Sequence, residues 1–207
     1  MMPRAHEGAV PRAIVPPSNA CEIVARLPRI TRRAATEEHS ERVAWYGLLV
    51  GERMGLTRRD CEMLRVGALL HDIGKRAIPD AILLKPVPLT GAEFALMKQH
   101  TILGEAMCAT APAVVRSIIR SHHERIDGSG YPDGLRGTSI PLLAQIIALV
   151  DSFDAMTSAR PYRSARSHGQ AFQVLRDDAK QGLFRMDLVD ALTSLAGVLD
   201  ADHRAVA

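Results

Sequence analysis

The sequence predicts an all-α fold, and three observations carry that prediction. Apolar residues recur at helical spacing in one stretch after another. Several of these stretches open on a threonine or serine placed to cap a helix, with an acid or amide three residues later. No stretch alternates apolar and polar residues in the way a half-buried strand requires.

The elements follow in order. In residues 37–54, EEHSERVAWYGLLVGERM, Val43, Leu48, Val50 and Met54 lie among polar residues at roughly helical spacing, and Gly55 stops the run. Trp45 and Tyr46 are expected in the core or at an interface. Thr57 and Asp60 resemble a capping box, although aspartate is not the preferred third residue. The next helix runs to His71 and Asp72, and Gly74 suits its C-terminus. Thr90 and Glu93 open a helix through EFALMKQHTILGEAMC. Pro112 fits the first turn of PAVVRSIIRSHHER. Residues 126–141, IDGSGYPDGLRGTSIP, read as one long loop rich in glycine and proline. LLAQIIALVDSFDAMTS is again apolar and helical. Ser167 with Gln170 resembles another capping box, and Asp187 opens the last helix.

Bulk composition bounds the rest. At 207 residues and 47% apolar content the chain suits one cored domain with a tail. Residues 1–30 hold five prolines and little helical periodicity, so they read as a tail or lead-in, with the domain spanning 31–207. A net charge of +3 gives no electrostatic footprint for DNA. No apolar run approaches a membrane span of about 20 residues, so no membrane partner is expected. The three cysteines are scattered and show no CxxC spacing, which points to a reducing cytoplasm and away from a disulfide framework.

Of the eight histidines, His39, His71, His100, His122 and His123 lie in or at the ends of the helical stretches. Asp72 and Asp151 each follow an apolar run. Singly, such residues are usually satisfied core groups or caps. As a set, they are several helices each delivering an imidazole or carboxylate to an apolar boundary, which is how helical bundles build metal sites. Mixed imidazole and carboxylate without thiolate suits iron, manganese, zinc or nickel. There are more ligands than one ion needs, and a two-metal site clamps the attacking and leaving oxygens of a phosphoryl displacement. Lys75 alone would be a cation at a helix C-terminus, and His6, His168 and His203 receive no role.

Together, HDIGK, the double histidine in HHERIDGSGYPDGLRG, and DSFDAMTSARPYR resemble the HD-GYP domain, a branch of the HD phosphohydrolase superfamily. The resemblance runs from about residue 36 to residue 190. It implies a helical bundle of the HD-domain type with a GYP-containing loop. The implied activity is metal-dependent hydrolysis of cyclic di-GMP to pGpG, and in some members on to GMP, in bacterial second-messenger signalling. The implied cofactor is two divalent metal ions, iron or manganese foremost, with zinc, nickel and magnesium as alternatives. Carried over by motif, His39, His71, Asp72 and Asp151 are ligands on one side, and His100, His122 and His123 on the other, with Asp72 bridging. Lys75 contacts a phosphate, and Asp154, one turn after Asp151, orients Lys75 through a salt bridge. Gly130, Tyr131 and Pro132 form the GYP triplet, with Tyr131 placed to contact substrate. Arg160 and Arg163 match the cations that receive the dinucleotide phosphates.

The chain departs from the family pattern in places. Some members hold a third metal with a glutamate one turn before the first histidine, and that position is Ala35 here. Glu37 and Glu38 do not share a helical face with His39, so a dinuclear site is expected. The segment ARPYRSA lacks the acidic residue and the lysine common around RPYR. Family members usually carry a sensor or receiver domain, so a regulatory protein partner and a homodimer are open expectations. The alternative is a weakly active or inactive module that binds a cyclic dinucleotide and signals through a partner, or that acts on another cyclic dinucleotide.

Overall fold

The computed structural model describes residues 34–159 and 164–206. Among them there are ten α-helices, two short 3-10 segments and no strand. The helices are α1 (Ala34–Arg53), α2 (Arg58–Leu70), α3 (Asp80–Leu83), α4 (Gly91–Lys98), α5 (His100–Met107), α6 (Ala113–Ser121), α7 (Leu142–Thr157), α8 (His168–Lys180), α9 (Met186–Ser194) and α10 (Ala196–Val206). The 3-10 segments are Ile73–Ala77 and Gly137–Ser139.

The helix starts follow their capping chemistry. Thr90 Oγ1 accepts from the Glu93 amide while the Glu93 carboxylate accepts from the Thr90 amide, a complete capping box. Ser167 and Gln170 make the same reciprocal pair. Thr57 makes only half of one. Its hydroxyl accepts from the Asp60 amide but donates to the Asp60 carboxylate, which is one methylene too short to reach back to the cap amide. Gly55 ends α1 at φ +74, a left-handed position that suits glycine.

α7 is the axis of the bundle. Residues 143–150 are all buried, as expected of a helix that is apolar all round. α1, α2, α6, α8 and α9 pack around it. Val43, Leu64, Ile118, Ile147, Phe153, Leu175 and Leu188 meet in this core. Tyr46 is buried there, edge-on to Phe153, and Trp45 packs against the same cluster. A second, smaller cluster of Val66, Leu70, Ile73, Cys108, Val115 and Ile119 lies behind the turn that carries His71 and Asp72.

Three features differ from the sequence reading. The helix expected from Thr90 through Cys108 breaks at Gln99, whose amide donates to the Leu96 carbonyl three residues back and tightens the turn. α10 follows the helix that was expected to be the last. Gly74 is not a left-handed cap. A Cβ at this position would come 1.9 Å from the His100 carbonyl oxygen and 2.5 Å from the Gly104 amide, so the glycine lets the 3-10 turn lie directly on α5.

Candidate metal centre

Three of the histidines are held by one device. His71 follows the last residue of α2, His122 follows the last residue of α6, and His100 opens α5. Each Nδ1 lies 2.7–2.8 Å from the carbonyl three residues earlier, Ala68, Ile119 and Met97 respectively. A carbonyl can only accept, so each Nδ1 is the donor, and in the neutral ring the lone pair then lies on Nε2. Burial acts to lower His71 as well, but the neighbouring Asp72 charge raises it, so His71 alone of the three is drawn toward its protonated form. Those three Nε2 atoms converge on Asp72, at 3.4 Å for His71, 3.5 Å for His100 and 3.9 Å for His122. All three rings are almost fully buried. His123 packs beside them, with ring centroids 4.1 Å from His122 and 5.1 Å from His100.

The opposite side is built from ion pairs. His39 on α1 donates Nδ1–H to Asp154 Oδ2 at 2.7 Å and turns Nε2 toward Asp151 Oδ1 at 3.3 Å. Arg42, one turn after His39, donates Nε–H and Nη2–H to the same Asp154 carboxylate at 2.5 and 3.1 Å. This corrects the pairing expected for Lys75. Its Nζ donates to Asp72 Oδ2 at 2.5 Å, within one tight turn, while α1 brings Asp154 its partners. Asp154 therefore orients His39, as a carboxylate behind a ligating imidazole does.

Two sets of donor atoms result. Asp72, His100, His122 and His123 offer atoms within 4.8 Å of one another, and so do His39, His71 and Asp72. Asp72 belongs to both. Asp151 stands beside the second set, against His39. The fit to a divalent cation rests on unsatisfied atoms. His71 Nε2 and Asp72 Oδ1 are buried without a hydrogen-bond partner among the described residues, a costly state that a cation would relieve. The mixed nitrogen and oxygen donors suit a divalent transition metal.

Electrostatics separates the two sides. Burial holds the His100, His122 and His123 imidazoles below their ordinary value, His123 at about 3, so they stay neutral. Burial also acts to lower His39, but hydrogen bonds to Asp151 and Asp154 outweigh it and raise His39 to about 9. Burial opposes ionisation of Asp151, Asp154 and Asp72, yet neighbouring cations win in each case. The His39 hydrogen bond lowers Asp151 and Asp154, and the His71 and Lys75 charges hold Asp72 well below the usual range.

The loop carrying Gly130, Tyr131 and Pro132 is clamped onto this centre. Tyr131 stacks on His123 at 4.7 Å, and burial raises its phenol. Its amide donates to the His123 carbonyl. Gly130 packs where a Cβ would meet the Glu124 Cα and the Arg125 amide at 2.4 Å. Glu124 is only 2% exposed, and its two oxygens accept from the Asp133 and Leu135 amides at 2.7 and 3.0 Å. Arg120 grips Asp133 with two bonds of 2.7 Å and reaches Glu105 with a third.

The sequence reading missed Arg42 and Glu124. The three-residue offset from His39 could have flagged Arg42. Glu124 gave no signal, because its partners are loop amides about ten residues away. Arg160 and Arg163 lie outside the described residues, as do residues 1–30, expected to form a tail, and the side chain of Ala35. Glu37 and Glu38 are exposed.

A buried nest of imidazoles and carboxylates gathered from several helices of an all-α bundle defines a helical metal-site domain. The comparisons place it more narrowly. The family described as HD domain matches residues 18–188, and the chain belongs to that family, with the loop features of its HD-GYP branch. It is 40% identical over 168 residues to a cyclic di-GMP phosphodiesterase of Thermotoga maritima, covering 79% of this chain and 45% of that protein. It is 37% identical over 145 residues to 3'3'-cGAMP-specific phosphodiesterase 3 of Vibrio cholerae, covering 69% of this chain and 32% of that one. The chain thus spans less than half the length of either relative. In fold it is similar to a HDG"Y"P protein from Bdellovibrio bacteriovorus, with a TM-score of 0.64 and 23% identity over 80% of this chain and 52% of that one. Among the described residues no helix is long and apolar enough to cross a membrane.

Proposed function

We propose that the chain is a metal-dependent phosphodiesterase that hydrolyses cyclic di-GMP to linear pGpG, with a second cut to GMP open to the same centre. The observation that carries this reading is Asp72, a buried carboxylate shared by two donor sets and left with an unsatisfied oxygen. The relative named for cyclic di-GMP supports the substrate.

His100, His122 and His123 would hold one divalent ion and His39 and His71 the other, with Asp72 shared and Asp151 completing the His39 side. Iron or manganese is the proposed metal. When bound, such ions supply Lewis acidity, activating water and offsetting charge on phosphoryl oxygens. The chain's own groups do the rest. The Met97 and Ile119 carbonyls fix the ligating tautomer of His100 and His122, which burial keeps neutral, so no proton has to leave these two imidazoles, while the Ala68 carbonyl orients His71 in the same way. Asp154, neutralised by Arg42, holds His39 in position. Lys75 spends one of its three donors on Asp72 and is one-third exposed, so its remaining N–H groups can meet a phosphate. Arg160 and Arg163 are proposed to hold the second phosphate. Addition of water across one P–O3′ bond leaves a 5′-phosphate and a 3′-hydroxyl, the ends of pGpG. As an enzyme of second-messenger turnover it would act in the cytoplasm.

The relative named for 3'3'-cGAMP favours a second reading, in which the same centre takes a mixed dinucleotide. One anaerobic preparation decides between them. Metal content by mass spectrometry is measured alongside turnover of cyclic di-GMP, 3'3'-cGAMP and cyclic di-AMP. The proposal expects manganese- or iron-dependent pGpG formation. Metal-loaded protein that binds cyclic di-GMP without turning it over would contradict it and leave a binding module.

A further inference from the structure

The centre accounts for His100, His123 and Tyr131, but the row of rings continues outward past them. Phe94 on α4 meets Tyr131 edge-on at 6.3 Å, and Tyr131 is itself stacked on His123. Phe94 is 46% exposed. Lys98, one turn further along α4, places its Nζ 5.4 Å from the Phe94 ring centre and 5.7 Å from that of Tyr131. No carboxylate among the described residues pairs with Lys98, whereas Lys75 is held by Asp72 and Lys85 by Glu93. An exposed phenyl ring and an unpaired ammonium therefore sit together, continuous with the ligand cluster.

We propose that Phe94 and Lys98 form a purine subsite of the centre, with Phe94 stacking on a base and Lys98 selecting guanine. The inference rests on the reading of the centre as a cyclic dinucleotide phosphodiesterase. A phosphate held at the centre carries its nucleoside outward from it, and this rim adjoins the centre through Tyr131, which stacks on His123 and meets both Phe94 and Lys98. A phenyl face accepts any base. The ammonium offers only donors. Guanine presents two neighbouring acceptors, O6 and N7, while adenine sets a donor amine beside N7. Lys98 therefore favours guanine, and Phe94 serves both purines.

Binding of cyclic di-GMP, 3'3'-cGAMP and cyclic di-AMP to the wild-type chain, Phe94→Ala and Lys98→Met is measured by calorimetry. Manganese-dependent hydrolysis of bis(p-nitrophenyl) phosphate, a diester without bases, is followed in parallel. Phe94→Ala is expected to weaken cyclic di-GMP binding by about fivefold or more, the loss of one stacked base, and by more than it slows the base-free diester. Lys98→Met is expected to narrow the preference for cyclic di-GMP over cyclic di-AMP. Equal losses on the dinucleotide and the base-free diester, or an unchanged cyclic di-GMP affinity in Phe94→Ala, would overturn the subsite. Wild type that hydrolyses no diester yet binds cyclic di-GMP through Phe94 would overturn the phosphodiesterase reading alone. Wild type that binds none of the three dinucleotides would overturn both.

Discussion

The two sides of the centre solve the same problem by different means. Around His100 and His122, backbone carbonyls accept the Nδ1–H hydrogen bonds and burial keeps the rings neutral, so the Nε2 lone pairs proposed to ligate are already in place. Around His39, two carboxylates and an arginine form an ion-pair network that holds the imidazole protonated in the metal-free chain. The first side is organised by helix ends, which are local. The second is organised by the meeting of α1 and α7, which is tertiary. If the two sides each take an ion as proposed, one is ready to bind and the other must release a proton first.

The comparison can be broken most severely at the residue both sides share. Asp72→Ala is expected to lower metal-dependent hydrolysis by about 10²-fold or more, measured as pGpG formation under saturating manganese. Gly74→Ala attacks the scaffold under the His100 side, because the new methyl group meets the His100 carbonyl. It is expected to cost about 1–3 kcal/mol or more of stability, read from urea unfolding of the metal-free protein. Asp154→Asn is aimed at the other side. It should weaken metal binding there by about 10–100-fold while the His100 side keeps its affinity, so a titration with manganese should split into two separate phases.

The mildest test is pH alone. His39 in the metal-free fold stands at about 9, above the ordinary 6.5. Its contribution to stability is full below 6.5 and is lost as pH rises through about 9. His123 stands at about 3, below 6.5, so the unfolded chain takes up its proton first and stability falls as pH drops from 6.5 toward 3. Unfolding of wild type, His39→Gln and His123→Gln across this range should show the first variant losing the alkaline slope and the second losing part of the acid slope.

Much of this was legible in the sequence because it is local. Capping at Thr90 and Ser167, the arrest at Gly55 and the apolar length of α7 follow from neighbours in the chain. The five histidines stood out as a set lying in or at the ends of helical stretches and Asp72 as a carboxylate after an apolar run. Their grouping into one centre came from the family resemblance, and the structure brings all five histidines to Asp72 or its neighbours. Lys75 went to the wrong partner. The spacing of Asp151 and Asp154 describes one face of α7 and says nothing about which side chain α1 lays against it. Gly74 was misread for the same reason: a cap and a close approach look identical in sequence, and only the position of α5 separates them. Glu124 stayed invisible because its carboxylate is satisfied by amides across the loop.

The central claim is that Asp72 joins two separate half-sites. Counting bound manganese per chain by mass spectrometry in wild type, His39→Ala, His100→Ala and Asp72→Ala tests it directly. Two ions in wild type, about one in each histidine variant and a loss from both sides in Asp72→Ala are the expected result. A wild-type count of one, or an Asp72→Ala protein that keeps its full complement, would contradict it.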